Sequence, residues 1–406
     1  MKKKNTINWL SVLGPGIITA ALVFGPSKMT ITSKMGAEFS YSLIWIIVVA
    51  IFFMLIFTNM SARIGQHNEA SLLTLIKRKT GNWAGIVIGL GIFLVATSFQ
   101  AGNSTGLGIA IGEATGTSAN IWIVLFNLLG ILLLFFRSFY RLLERVMLAL
   151  ILMMLFCFIT TAIVIQPSIA DIMDGLVPVI PSGSAGLIVA FIASCFSLVG
   201  AFYQAYLVQE KRKNQSGKDQ DLSKHAQLSS TVGILLLGVM SAVVLICAAA
   251  VLHPQGIQVT SASQMAKALE PLFGPFASYL FFIGLFGASF SSLIGNAAVG
   301  GAMLGDGLGF SSSLEHKYVK IFIGAVMLFG AIIAISFGKL PLELIVIAQS
   351  VTIFLVPFIG LSIVLVGSSA GIMGEHKNNL FQNVVGILGI LLVVFLAVTN
   401  FKVLFL

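Results

Sequence analysis

The residues best placed to do chemistry lie in one stretch, Phe24-Gly25-Pro26-Ser27-Lys28-Met29-Thr30. It interrupts an apolar run from Trp9 to about Trp45 that otherwise reads as one or two simple membrane helices. Glycine has no side chain to hold a helix, and proline lacks an N–H and clashes with the preceding turn, so Gly25-Pro26 breaks it. Lys28 then sets a full positive charge beside the break. Bare backbone and a charge at membrane depth are tolerated where they line a cavity, and such residues are functional by default. Hydroxyls (Ser27, Thr30), an ammonium and the amides of a helix N-terminus are all hydrogen-bond donors, which is the equipment for holding an anion. Two plainer readings stand beside this one. Lys28 snorkels to the surface near Lys34, or Gly25-Pro26 is only a kink.

The composition sets the surroundings of that stretch. The 406 residues are 58% hydrophobic and 9% charged, against roughly 25% charged in soluble domains, so the chain is an all-α polytopic membrane protein. Cys157, Cys195 and Cys247 fall inside apolar runs, with neither a disulfide framework nor metal-ligand spacing, and read as small core hydrophobes. Met1-Lys2-Lys3-Lys4 leads straight into a span, so no cleavable signal peptide is expected. Eleven spans are predicted, at roughly 9–36 (broken), 41–62, 82–112, 118–136, 146–166, 184–209, 228–252, 275–303, 318–337, 342–367 and 380–404.

Alternate loops hold 18 of the 23 basic residues and the opposite loops only four, Lys34, Lys267, Lys339 and Lys402. The positive-inside rule then predicts a cytoplasmic N-terminus, an extracellular C-terminus and a multi-pass plasma-membrane location. The net charge of +9 is explained by topology and calls for no nucleic acid. The 211–227 loop reads as a solvated connector, with an anionic-lipid contact as the alternative. The fourteen acidic residues lie nearly all in loops or at span ends, none an obvious partner for Lys28, and the five histidines are likewise marginal.

A second interruption sits five spans after the first. Ser194, Ser197, Gly200, Tyr203 and Gln204 bring small and polar groups into the sixth span. Paired interruptions at corresponding positions point to a transporter built from inverted repeats, with its site between two broken helices. The plainer reading is that small residues let helices pack closely.

Several stretches together resemble the NRAMP transporters, divalent-metal/proton symporters with the leucine-transporter-type fold. GPGIITAALVFGPSKMT with MGAEFSYSLIW is similar to that family's opening helix. AYLVQEK resembles its Ala-Leu-Val-Gln, GASFSSLIGNAAVGGAMLGDGLG its eighth span, and LIVIAQSVTIFLVPFIGL its tenth. The resemblance implies a 5+5 inverted repeat plus an eleventh helix. Residues 1–166 would be the first repeat, 167–183 an extracellular loop, 184–367 the second repeat and 380–404 the additional span. It implies no enzyme activity and no cofactor, a small-molecule or ion substrate, and a fold compatible with a monomer in the bilayer.

The departures from the family matter as much. Where the family reads Asp-Pro-Gly-Asn and binds metal through Asp and Asn, this chain has Gly25, Pro26, Ser27 and Lys28. The family's sixth-span Met aligns with Ser197, its histidines with Val199 and Gln204, and its acidic pair with Gln100 and Asn103. A +1 and a +2 charge about 4 Å apart repel by ~8 kcal/mol at an effective dielectric near 20. The expectation is therefore a secondary transporter that has lost the transition-metal site and carries a small anion, bicarbonate or a short carboxylate. The expected substrate contacts are Gly25, Pro26, Ser27, Lys28, Thr30, Ser197, Gly200, Gln204 and Gln349. Phe24, Gln100, Asn103 and Tyr203 are candidates for the pocket wall or for coupling, with interhelical hydrogen bonding the alternative role for Gln100, Asn103 and Gln349. Two alternatives remain open: a proton-coupled divalent metal transporter, and a carrier of a neutral or zwitterionic molecule in which Lys28 replaces a coupling cation.

Overall fold

The computed structural model describes residues 23–134, 137–195, 198–214, 221–337 and 341–405. The first half of the opening span and Ser197 lie outside the described residues. Every described element is a helix. The main ones are α1 (Pro26–Phe39), α2 (Ile44–His67), α3 (Asn82–Thr115), α4 (Ala119–Leu133), α5 (Arg137–Ile165), α6 (Ala185–Cys195), α7 (Leu198–Asn214), α8 (Asp221–Val251), α9 (Ala277–Gly307), α10 (Lys317–Ser336), α11 (Pro341–Thr352), α12 (Val356–Gly367) and α13 (Leu380–Phe405). Among the described residues six helices are long and apolar enough to cross a bilayer alone, and α11 with α12 forms a seventh span bent by 41°. Shorter apolar helices are α4, α6 and the Ala149–Ile165 part of α5.

The helices pack in two groups. α1 lies against α8, and α2 against α7 and α8; α3 lies against α4, α9 and α10, with α9 also on α10. Glycines permit the closest crossings. A Cβ at Gly36 would strike the Leu245 carbonyl, and one at Gly65 the Ala205 carbonyl, so α1–α8 and α2–α7 meet backbone to backbone.

Two expectations need correction, the 342–367 span and the 63–81 connection. The 342–367 segment is not one continuous helix but breaks at Ile353-Phe354-Leu355. Pro357, in the first turn of α12, has no N–H to give the Ile353 carbonyl, and the unbroken apolar run around it hid the bend. The half-helix after the first break begins at Pro26, because proline is well suited to a first helical turn. The fifth span lies where it is expected, its apolar part running over Ala149–Ile165 of α5. The 63–81 connection contains a helix, Leu72–Thr80, capped by Ser71, whose hydroxyl accepts the Thr74 N–H at 3.1 Å.

Candidate functional site

The first break forms part of the wall of a small pocket. Gly25, Ser27 and Lys28 line it from α1, Asn103 from α3, Ser194 from α6, Ser292 and Asn296 from α9, and Gln349 from α11. Val23 and Phe99 complete the lining. Gly25 caps α1 in extended conformation, its carbonyl accepting the N–H groups of Lys28 (3.1 Å) and Met29 (3.3 Å). It must be small. A Cβ there would sit 2.8 Å from Ser292 Oγ and 3.2 Å from Asn103 Oδ1. The positive end of the α1 dipole therefore opens on the cavity wall.

Lys28 is 1% exposed and does not snorkel. Its ammonium donates to Cys195 Sγ at 2.7 Å and stands 4.5 Å from the centre of the Phe191 ring. Both partners belong to α6. A thiol and a ring face are weak company for an ammonium, which has three donors to satisfy. No carboxylate pairs with it among the described residues, where the only other buried charged side chain is Asp306. Around it, Ser27 Oγ, Asn103 Nδ2 and Gln349 Oε1 are buried polar atoms with no protein partner. Buried polar groups are normally hydrogen-bonded, so this cluster is shaped for something that enters. Ser27 Oγ and Asn103 Nδ2 can donate, and with the single cation they suit an acceptor-rich, negatively charged guest, while Gln349 Oε1 can only accept. Among the described residues no cluster of three or more histidine, cysteine or acidic side chains is placed to hold a metal ion.

The structure gathers Gly25, Ser27, Lys28, Asn103 and Gln349 from the expected set. Pro26 backs the site, pressed onto Gly106 of α3. Thr30 is fully buried with its hydroxyl unpartnered but does not line the cavity. Phe24 is buried at the break in the apolar core. Gln100 points the other way, its Nε2 donating to Asn127 Oδ1 at 3.4 Å. Gln204 lies about 9 Å along the helix from the start of α7 and, though buried, does not line the cavity. Tyr203 is stacked on Tyr206 at 6.1 Å instead of walling the pocket. Gly200 falls in the first turn of α7.

Sequence reasoning missed Cys195, Phe191 and Asn296. Asn296 does hydrogen-bond within its helix, donating to the Ser292 carbonyl at 3.0 Å, but it also faces the cavity. The available signal was the i, i+4 spacing of Ser292 and Asn296, which puts both on one face of α9.

The sequence matches the family model described as "Natural resistance-associated macrophage protein-like" over residues 16–402. It is 24% identical over 398 residues to the divalent metal cation transporter MntH of Caldanaerobacter subterraneus, covering 94% of this chain and 90% of that one. It is 26% identical over 375 residues to MntH of Mycobacterium tuberculosis, covering 91% and 86%. The crystal structure of a mutant of the Eremococcus coleocola manganese transporter superposes with a TM-score of 0.80 at 19% identity, over 98% of this chain and 88% of that one. Mhp1, a nucleobase-cation-symport-1 family transporter, gives 0.62 at 14% identity, covering 97% and 93%. The fold is thus the leucine-transporter type, in a multi-pass membrane protein.

Proposed function

The chain belongs to the natural resistance-associated macrophage protein-like (Nramp) family, and from that premise we propose a secondary transporter that carries a small monovalent oxyanion, bicarbonate or a short carboxylate. One observation carries this reading: among the described residues the only charge in the cavity wall is the buried Lys28 ammonium, held by a thiol and a ring instead of a carboxylate. An uncompensated charge at membrane depth costs several kcal/mol, and an arriving anion supplies the missing partner. The unpartnered Ser27 hydroxyl and Asn103 Nδ2 can donate to its oxygens, Gln349 Oε1 can accept the hydroxyl proton of bicarbonate, and the α1 N-terminus adds its dipole. We further read residues 1–166 and 184–367 as the two inverted repeats, and the N-terminus as cytoplasmic in a plasma membrane.

The second reading is proton-coupled divalent metal transport, and the names of the similar MntH proteins favour it. Against it stands the ~8 kcal/mol repulsion between Lys28 and a dication about 4 Å away. Neutral oxygens of Asn103, Asn296 and Gln349 would have to offset that without a carboxylate. Proteoliposomes separate the two readings: Mn²⁺ influx followed by a metal-quenched dye, beside bicarbonate-driven change in internal pH. The expected result is bicarbonate-dependent flux with no Mn²⁺ entry. Mn²⁺ entry without anion flux would replace the first reading by the second.

A further inference from the structure

The cavity uses only one of the two charged side chains buried among the described residues. The other, Asp306, sits near the C-terminal end of α9, at the end of the bundle where Lys77, Arg78 and Lys79 lie. Tyr206 of α7 donates its hydroxyl to Asp306 Oδ2 at 2.6 Å, and the same hydroxyl accepts the Leu73 N–H at 3.3 Å. Lys77 Nζ donates to the Asp306 backbone carbonyl at 2.7 Å. One buried junction therefore ties α7, α9 and the Leu72–Thr80 helix together.

These elements come from different packing groups. α7 lies flush on α2 at Gly65 and Ala205. Its other polar ties also run to the end of α2 and the turn that follows. Gln209 Nε2 donates to the carbonyls of Asn68 (3.0 Å) and Ala70 (2.8 Å), and Arg212 donates to the Gln66 carbonyl. α7 and α2 are thus bound as one body, while Asp306 belongs to the α3–α9–α10 group. Transport by rocking of one helix group against the other requires the contacts between groups to part at one end and then at the other.

We propose that the Tyr206–Asp306 hydrogen bond is the latch that keeps the two helix groups together at the Lys77 end and closes the path from the cavity there. Tyr206 and Asp306 are positioning residues: neither lines the cavity, and they act through the placement of α7. The carboxylate is suited to the task because a charged acceptor makes a short, strong bond when closed. When the groups part it is left beside basic side chains and water, which solvate it.

The test uses accessibility and needs no substrate. A cysteine at the cavity wall, Ser27→Cys, is labelled in sealed membrane vesicles by a membrane-impermeant maleimide applied to one face at a time. The chain without that cysteine gives the background, since Cys157, Cys195 and Cys247 are buried. Tyr206→Phe and Asp306→Ala are expected to raise labelling from the Lys77 face at least about fivefold. Asp306→Asn, which keeps an acceptor for the tyrosine hydroxyl, is expected to stay within about twofold of the parent. Unchanged labelling in Tyr206→Phe and Asp306→Ala would overturn the proposal. So would an equal rise from both faces, which is loosened packing and not a latch. Should either variant fail to fold, Tyr206→Cys with Asp306→Cys joined by a short bis-thiol reagent tests the converse. The cross-link should abolish labelling from the Lys77 face, and persistent labelling would count against the latch.

Discussion

Neutralising Lys28 by Lys28→Gln should move anion and metal transport in opposite directions. With the ammonium about 4 Å from the charge centre of a bound monoanion, at an effective dielectric near 20, the attraction is ~4 kcal/mol. Glutamine keeps a neutral donor worth about 1 kcal/mol. The net loss is therefore about 3 kcal/mol, and at 1.4 kcal/mol per decade the affinity for bicarbonate falls ~100-fold. For a dication the same substitution removes ~8 kcal/mol of repulsion and can only help. Folding should survive, because among the described residues the Lys28 ammonium has one hydrogen-bond acceptor, Cys195 Sγ, and no carboxylate. Removing an unpaired buried charge leaves the melting temperature unchanged or raises it. The assay is initial bicarbonate flux against concentration in proteoliposomes at fixed ionic strength, with Mn²⁺ influx measured in parallel. A variant whose KM and rate for bicarbonate lie within twofold of the parent would remove Lys28 from substrate binding and refute the electrostatic reasoning.

Two further perturbations probe the same wall. Gly25→Ala places a methyl 2.8 Å from Ser292 Oγ and 3.2 Å from Asn103 Oδ1; it should destabilise by about 1–3 kcal/mol through overpacking, lowering the melting temperature in detergent as well as the flux. Cys195→Ala strips Lys28 of its hydrogen-bond acceptor and should cost about 1–3 kcal/mol, whereas Cys195→Ser keeps an acceptor and should cost less; in a Lys28→Gln background the penalty of Cys195→Ala should largely vanish, which a double-mutant cycle of melting temperatures measures.

The first break was legible because Gly25-Pro26 and Lys28 violate the rules of an apolar helix within four residues. The partner of that lysine was not. A cysteine in an apolar run looks the same whether it faces lipid, a leucine or an ammonium, and only the crossing of α1 with α6 decides which. Gln100 and Asn103 show the same limit on a single helix. They stand three positions apart on α3, yet one turns to Asn127 and the other to Gly25. Periodicity says that a helix has two sides, not which side the cavity is on. The bend at Ile353-Phe354-Leu355 was hidden for another reason: hydropathy is blind to backbone geometry when every neighbouring side chain is apolar. Asp306, placed by the sequence at a span end, is at one, but its burial depends on Tyr206 arriving from α7.

Lys28 has unequal effects on the ions it meets, and the inequality bears on what it is for. Coulomb energy scales with the charge of the guest, so one ammonium attracts a monoanion by ~4 kcal/mol and repels a dication by ~8 kcal/mol at the same distance. The resulting spread of about 12 kcal/mol between the two classes is two-thirds exclusion and one-third binding. Selectivity built this way comes chiefly from an element that works against the wrong substrate. Affinity for the right one is then left to the neutral groups around it, Ser27, Asn103 and Gln349, and to the α1 N-terminus, all of which face the cavity. The dipole at that N-terminus already has the sign an anion requires. In a cation site a carboxylate must overcome it, whereas here the lysine and the dipole agree. With Gly25 in place of any carboxylate at the cap and Lys28 beside it, the polarity of the break favours an anion.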